Sequence, residues 1–156
     1  MGFFISSSLY PNTSVDIAID KITSNFGKNI EISAPHRYQN EIELKNFLLN
    51  LKRKNINLVL HNYFPRPKKD FVLNIATSDF NTLNQVQSLV HNAINLSSDI
   101  KSNFYGIHAG YLADSNANSE GNFVFKNIKN NYYQALENSL MFLEKTKSYA
   151  IKRKVK

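Results

Sequence analysis

Three side chains in this 156-residue chain have the chemistry of a reaction site: Glu31, His61 and His108. His61 closes an apolar run in "LVLHNYFP", Leu58 to Pro65, and His108 closes another in "YGIHAGYLAD". Glu31 lies inside "IEIS", where an unpaired carboxylate among strand formers is unfavourable. Two imidazoles and a carboxylate can hold a divalent cation, or hold hydroxyl groups and pass protons. The bland alternatives are concrete. A histidine at a strand end is often hydrogen-bonded to a neighbouring loop and does nothing chemical. Glu31 could pair with Arg37 or a lysine. Two histidines at equivalent places in successive units favour a shared site for His61 and His108; for Glu31 the two readings stand level.

The elements that would position these residues follow a simple alternation. Phe3 to Ser7 reads as a strand. Ser14 can cap a helix with Asp16 in its first turn and Val15, Ile19, Ile22 and Phe26 at helical spacing, ended by Gly27. "NIEISAP" is a second strand closed by proline. Asn40, with Glu43 three residues on, opens a second helix carrying Leu44, Phe47, Leu48 and Leu51. "INLVLHNYFP" is a third strand, and a helix from about Asn81 carries Leu83, Val86, Val90, Ala93 and Ile94. "NFYGIHAG" is a fourth strand, followed by a helix from about Asn127 with Ile128, Tyr132, Ala135, Leu136, Phe142 and Leu143 on one side.

This β-α order, four times over, predicts an α/β fold with a parallel sheet and right-handed crossovers. The near-continuous apolar strands suggest a sheet covered on both faces. No strand-to-helix turn carries GxGxxG or GxxxxGK[ST], so phosphate-cradling nucleotide folds lack their glycines. The remaining β-α repeat is the barrel, which needs eight units; this chain supplies four. In such barrels the site lies at the C-terminal strand ends, where His61 and His108 sit and where they could converge with Glu31.

Composition narrows the classes further. The chain has no cysteine, which excludes disulfides and thiolate metal sites and fits a cytoplasmic protein. No apolar stretch is long enough to span a membrane, and the N-terminus lacks the basic region of a signal peptide. The net charge of +7 is local: Lys145, Lys147, Lys152, Arg153, Lys154 and Lys156 fall in the last twelve residues, and without them 13 basic residues face 12 acidic ones. That reads as a domain over residues 1–145 followed by a basic tail, 146–156, and not as a nucleic-acid-binding face.

Two long connections also point to a site. "FVLNIATSD" could fold over the barrel mouth with Asn74 pointing inward, and Arg66, Lys68 and Lys69 nearby could meet a phosphate or carboxylate; the bland alternative is that Phe71 and Leu73 simply plug the rim. In "GYLADSNANSEGNF", Tyr111 and Asp114 are the candidates. Asn62 and Tyr63, which follow His61, are further substrate-contact candidates. His36 is placed near the rim, and His91, off the apolar stripe of its helix, is expected to be solvated.

"LVLHNYFP", "FVLNIATSD", "YGIHAGYLAD" and "IEIS" together resemble the xylose isomerase-like β/α barrels, in particular the sugar phosphate isomerase/epimerase type, over roughly residues 3 to 145. The resemblance implies a sugar or sugar phosphate as substrate, in carbohydrate metabolism or surface-polysaccharide biosynthesis. It makes Glu31, His61 and His108 the catalytic candidates, with Asn62, Tyr63, Asn74, Tyr111 and Asp114 at the substrate. Full-length members bind a divalent metal (Zn, Mn or Mg), and by that analogy His61 and His108 would be metal or substrate ligands. Members continue with a fifth strand ending in a glutamate, and this sequence stops about where that strand begins. The resemblance therefore implies a half barrel truncated to about four β/α units, inactive alone, with no metal of its own. Its open edges would take a C-terminal half-barrel chain or form a homo-oligomer. The competing readings are a catalytically empty remnant serving as an interaction module and, third, a DNA-repair role like that of endonuclease IV.

Overall fold

A computed structural model describes residues 2–33, 35–117, 122–125 and 131–156. Four parallel strands form one sheet in the order β1 (Ile5–Ser6), β2 (Asn29–Ile32), β3 (Asn57–His61), β4 (Tyr105–Gly106). Between and after them run α1 (Val15–Asn25), α2 (Glu41–Arg53), α3 (Phe80–Asp99) and α4 (Tyr132–Ile151). Consecutive strands are neighbours, so α1, α2 and α3 are each a crossover of one step, the arrangement of half a β/α barrel. A short antiparallel hairpin, β5 (Ser115–Ala117) with β6 (Phe123–Phe125), lies in the last connection and had no signal in the sequence reading. The expected start of the fourth helix at Asn127 and Ile128 lies outside the described residues. Among the described residues no helix is long and apolar enough to cross a membrane.

Local chemistry sets the helix boundaries. Asn40 Oδ1 accepts from Glu43 N at 2.9 Å, and α2 carries Glu41 and Glu43 in its first turn and Lys52 and Arg53 in its last, each matched to the helix dipole. Asp79 caps α3 in the same way through Thr82 N, at 2.8 Å. Ser14 occupies the N-cap position of α1, but its side chain makes no capping bond. Its backbone instead bridges to Arg37, and Asp16 takes a side-chain hydrogen bond from Ser14 that holds its carboxyl below the usual range. Gly27, at φ 121°, ends α1 in a backbone conformation that other residues rarely adopt.

The core lies on one face of the sheet. Ile30, Ile32, Leu58 and Leu60 alternate along β2 and β3 and are buried against Ile19, Ile22, Leu44, Leu48 and Ile100. Each such side chain contributes about 1.5–3 kcal/mol on burial. The intervening residues, Asn29, Glu31, Val59 and His61, are exposed or half-buried. The expectation of a sheet covered on both faces is therefore corrected. Helices cover one face, and the other, which lines the interior of a closed barrel, is only partly covered.

Leu48 is fully buried under β2 and β3. Leu48→Ala is expected to lower the unfolding free energy by about 2–5 kcal/mol in urea titrations; a loss under about 1 kcal/mol would show that α2 does not close this core.

Candidate functional site

Strand register assembles the histidines. Glu31 pairs with Val59 and His61 with Gly106, so Glu31 and His61, two residues apart along the ladder, share the less covered face. His108 follows Gly106 by two residues. The two imidazoles meet edge to face with ring centroids 4.7 Å apart, and His61 Nδ1 lies 3.8 Å from Glu31 Oε1. The expectation that His61 and His108 share one place is met. The side chains of His61 and Glu31 retain 22% and 33% exposure, so Glu31 sits in a strand without being sealed from water.

Gly106 makes this meeting possible. A Cβ there would lie 2.4 Å from His61 Cδ2, so the ring occupies the space that a side chain opposite would fill. The sequence reading missed this residue, although a lone glycine inside an apolar strand is a signal of close approach. Burial pushes the pKa of His61 below the usual histidine value of 6.5; Glu31 opposes that shift and His108 adds to it. His61 is thus held neutral near pH 7, with a carboxylate beside it able to stabilise a transient imidazolium.

The candidates on the connections have structural partners. Asn74 is buried; its Oδ1 accepts from Ala76 N at 3.0 Å and Tyr111 N at 2.8 Å, and its Nδ2 donates to Asp114 Oδ1 at 2.8 Å. Asp114 Oδ2 accepts from Thr77 Oγ1 at 2.8 Å. Asn74 and Asp114 therefore bracket the two loops together. A Cβ on Gly110 would lie 2.5 Å from Ala76 N and 2.6 Å from Asn74 Oδ1, so this loop contact needs glycine. Tyr63 is half-buried. Its hydroxyl accepts from Leu73 N at 2.7 Å, and burial raises its pKa, with the Leu73 bond lowering it and Tyr111 raising it again. Asn62 is buried with Tyr105 donating to its Oδ1 at 3.3 Å, while its Nδ2 has no hydrogen-bond partner among the described residues. Tyr111 packs on Phe125, at 5.9 Å between centroids.

Leu73 is buried and Phe71 half-buried against the α3 and α4 core, not at the rim. Arg66 pairs with Asp70 at 3.3 Å, and with Lys68 and Lys69 it lines a separate cavity of about 400 Å³ that includes Tyr38 and Ser88 and none of the histidines. His36 is fully buried, its Nδ1 3.0 Å from Thr13 O and its Nε2 2.8 Å from Ser7 Oγ, so it ties the segment after β2 to the one between β1 and α1 and is not a rim contact. His91, expected in solvent, stacks on Tyr149 at 3.8 Å between centroids and joins α3 to α4. Burial, and then Arg153, lowers its pKa.

As a cation site the described residues fall short. Among them no group of three or more histidines, aspartates or glutamates converges to hold a metal. His61 Nδ1 lies 3.8 Å from Glu31 Oε1 and its ring meets that of His108 edge to face, a loose electrostatic pairing and not a ligand cage.

Comparison with solved structures supports the architecture. The chain superposes along its whole length on 51% of a D-tagatose 3-epimerase-like protein, with a TM-score of 0.74 and 20% identity. It superposes over 98% of its length on 47% of an L-ribulose 3-epimerase, with a TM-score of 0.65 and 15% identity. A protein from Anabaena variabilis described as a sugar phosphate isomerase/epimerase gives a TM-score of 0.56 at 9% identity, again over 98% of this chain and 51% of that one. No protein-family model matches the sequence, and no curated protein matches it. The chain has the fold of half a β/α barrel and spans about half the length of the structures on which it superposes.

Two expectations follow. The folded-state pKa values of His61 and His91 lie below 6.5, so the unfolded chain takes up these protons first as pH falls. Their contribution to stability is fully present above about 6.5 and is lost as pH drops through that window. Urea midpoints should fall on acidification, and His61→Gln combined with His91→Gln should flatten the slope; an unchanged slope would rule these histidines out. Gly110→Ala should cost about 1–3 kcal/mol in the same titration, because backbone and not a flexible side chain must move.

Proposed function

We propose that this chain supplies one half of the sugar-binding mouth of an epimerase or isomerase, with Glu31, His61 and His108 at the substrate. The observation that carries the proposal is the juxtaposition of two imidazoles and a carboxylate on the inner face of a β/α half barrel whose fold is that of sugar 3-epimerases. Epimerisation beside a carbonyl removes a proton from carbon and returns one to the opposite face, so it needs groups that exchange protons near neutrality. His61, neutral at that pH, accepts a proton from a sugar hydroxyl or the adjacent carbon, and Glu31 stabilises the imidazolium that results. His108 packs against His61 and fixes the ring's orientation while presenting its own nitrogen to a second hydroxyl. Tyr111, at the loop that follows, closes one side of the mouth. The second proton-transfer group comes from outside the described residues, so the chain binds sugar weakly and does not turn it over alone. The setting is cytoplasmic carbohydrate metabolism.

The test is titration of the histidine-labelled protein with D-tagatose or L-ribulose, read by imidazole nitrogen chemical shifts. Binding in the millimolar range should move the signals of His61 and His108 together and leave His36 and His91 in place. His61→Ala should weaken binding about tenfold, the worth of one good hydrogen bond. Shifts confined to other histidines, or none with either sugar, would sink the proposal.

A further inference from the structure

The excess positive charge of this chain lies at one end of the sheet. Lys28 leads into β2, Lys52 and Arg53 close α2 and Lys54 caps it, Lys101 leads into β4, and Lys152, Arg153, Lys154 and Lys156 follow α4. All nine stand where helices finish and strands begin, with Asp99 as the one acid among these helix ends. The remaining 10 basic residues face 11 acidic ones. The run that reads in the sequence as a tail is therefore part of a larger basic face, at the opposite end of the strands from His61.

The backbone fixes these charges in place. Lys156 N donates to Asn103 O at 2.8 Å and Tyr105 N donates to Lys156 O at 3.0 Å, which sets Lys156 opposite Phe104 as in a parallel ladder. Ser98 Oγ donates to Arg153 O at 3.0 Å. Asn55, Lys101 and Lys154 hold equivalent places in the turns after α2, α3 and α4, with φ of 61°, 55° and 58°. The residue after each donates back to the last helical turn: Ile56 to Leu51 O at 3.1 Å, Ser102 to Ser97 O at 2.8 Å, Val155 to Ala150 O at 3.1 Å. That left-handed position favours glycine or asparagine. Here lysine takes it twice, and both side chains are exposed. Helix dipoles favour cations in a last turn, which covers Lys52 and Arg53, but the effect fades beyond it and leaves Lys28, Lys101, Lys154 and Lys156 unexplained. Asp99 is engaged at 2.7 Å by Lys45, which lies outside the face. Among the described residues none of the nine basic side chains makes an ion pair. Like charges gathered in this way repel one another, and a surface of negative charge laid across them relieves that repulsion.

We infer that this basic face rests on an anionic lipid surface. Two observations favour a membrane over a nucleic acid. The connections belong to β/α units whose strands are consecutive neighbours, so their tips follow the arc of a half barrel. A plane meets every tip of an arc, whereas a straight phosphate backbone meets only some. Phe26, the C-cap of α1 two residues before Lys28, is 54% exposed and adds an apolar tip that fits the headgroup boundary and has no counterpart on a phosphate backbone. Seven of the nine basic residues are lysines, whose long stems let the ammonium groups reach lipid phosphates from a rigid scaffold. The inference is independent of what the histidine site binds.

The test is co-sedimentation of the intact chain with vesicles. Phosphatidylglycerol mixed into phosphatidylcholine should carry the chain down, phosphatidylcholine alone should bind it at least about tenfold less, and added salt should release it. Lys54→Gln combined with Lys152→Gln, both exposed positions, should weaken binding about 30-fold. Lys68→Gln combined with Lys69→Gln removes the same charge from the opposite end of the strands and should change binding by less than about threefold. Phe26→Ser should weaken binding about fivefold and leave its salt dependence in place. Unchanged melting curves establish that each variant is folded, and the lipid and salt dependence of the unaltered chain stands without them. Equal binding to both vesicle types, or none to either at low salt, overturns the inference. So does an equal loss in the two lysine pairs, which would make net charge and not this face responsible. Release from vesicles by an oligonucleotide at equal phosphate concentration also overturns it and assigns the face to nucleic acid.

Discussion

Everything in this molecule depends on the period-two alternation of a parallel ladder held in one register. Ser6, Glu31 and Val59 lie across from one another on β1, β2 and β3, and His61 sits across from Gly106. Side chains at this parity point away from the helices. Those of the other parity, Ile30, Ile32, Leu58 and Leu60, are buried beneath α1 and α2. A slip of one residue in β3 would send His61 into the apolar core and Leu60 into the mouth. Burial of the aliphatic row is therefore what fixes the position of the polar row, and the site takes its geometry from the core without sharing an atom with it.

The polar face holds a balance of opposing terms. Partial desolvation disfavours charge on His61, while Glu31 favours it from 3.8 Å and His108 disfavours it. Neither extreme would suit proton exchange: a sealed imidazole could not charge, and a tightly paired one would stay charged. The half-covered face gives an intermediate setting. Around it, Asn74, Asp114, Thr77 and the close contact at Gly110 tie the two long loops together. These are polar groups engaged with one another, so they shape the mouth by rigidity and not by reaching into it.

The open side of the sheet has the opposite character. Its groove is apolar, its neighbouring helix shows leucines to water, and its backbone carries one residue of an added ladder. The tail that supplies the excess positive charge is not detached from the domain. Residues 146–151 finish α4, Arg153 lies 3.6 Å over the Tyr149 ring and bonds Asn95, and Val155 is buried. Charge that looked like a solvated run in the sequence is thus partly built into the packing of α4 on α3.

The sequence by itself determined the β-α order, the helix cap at Asn40 and the placing of histidines at strand ends. Each of these rests on residues within one turn or one strand of each other, where periodicity and capping chemistry act locally. It also carried the likeness to sugar isomerase-type barrels, because whole strand-end phrases kept their order. Only the tertiary structure decided that Glu31 approaches His61, that Gly106 makes room for its ring, that Asn74 joins two loops and that His36 is locked between Ser7 and Thr13. It also decided that Lys156 reaches Phe104. These contacts join residues 23 to 52 positions apart. They depend on strand register and on which sheet face the helices leave partly uncovered, and no local pattern encodes either.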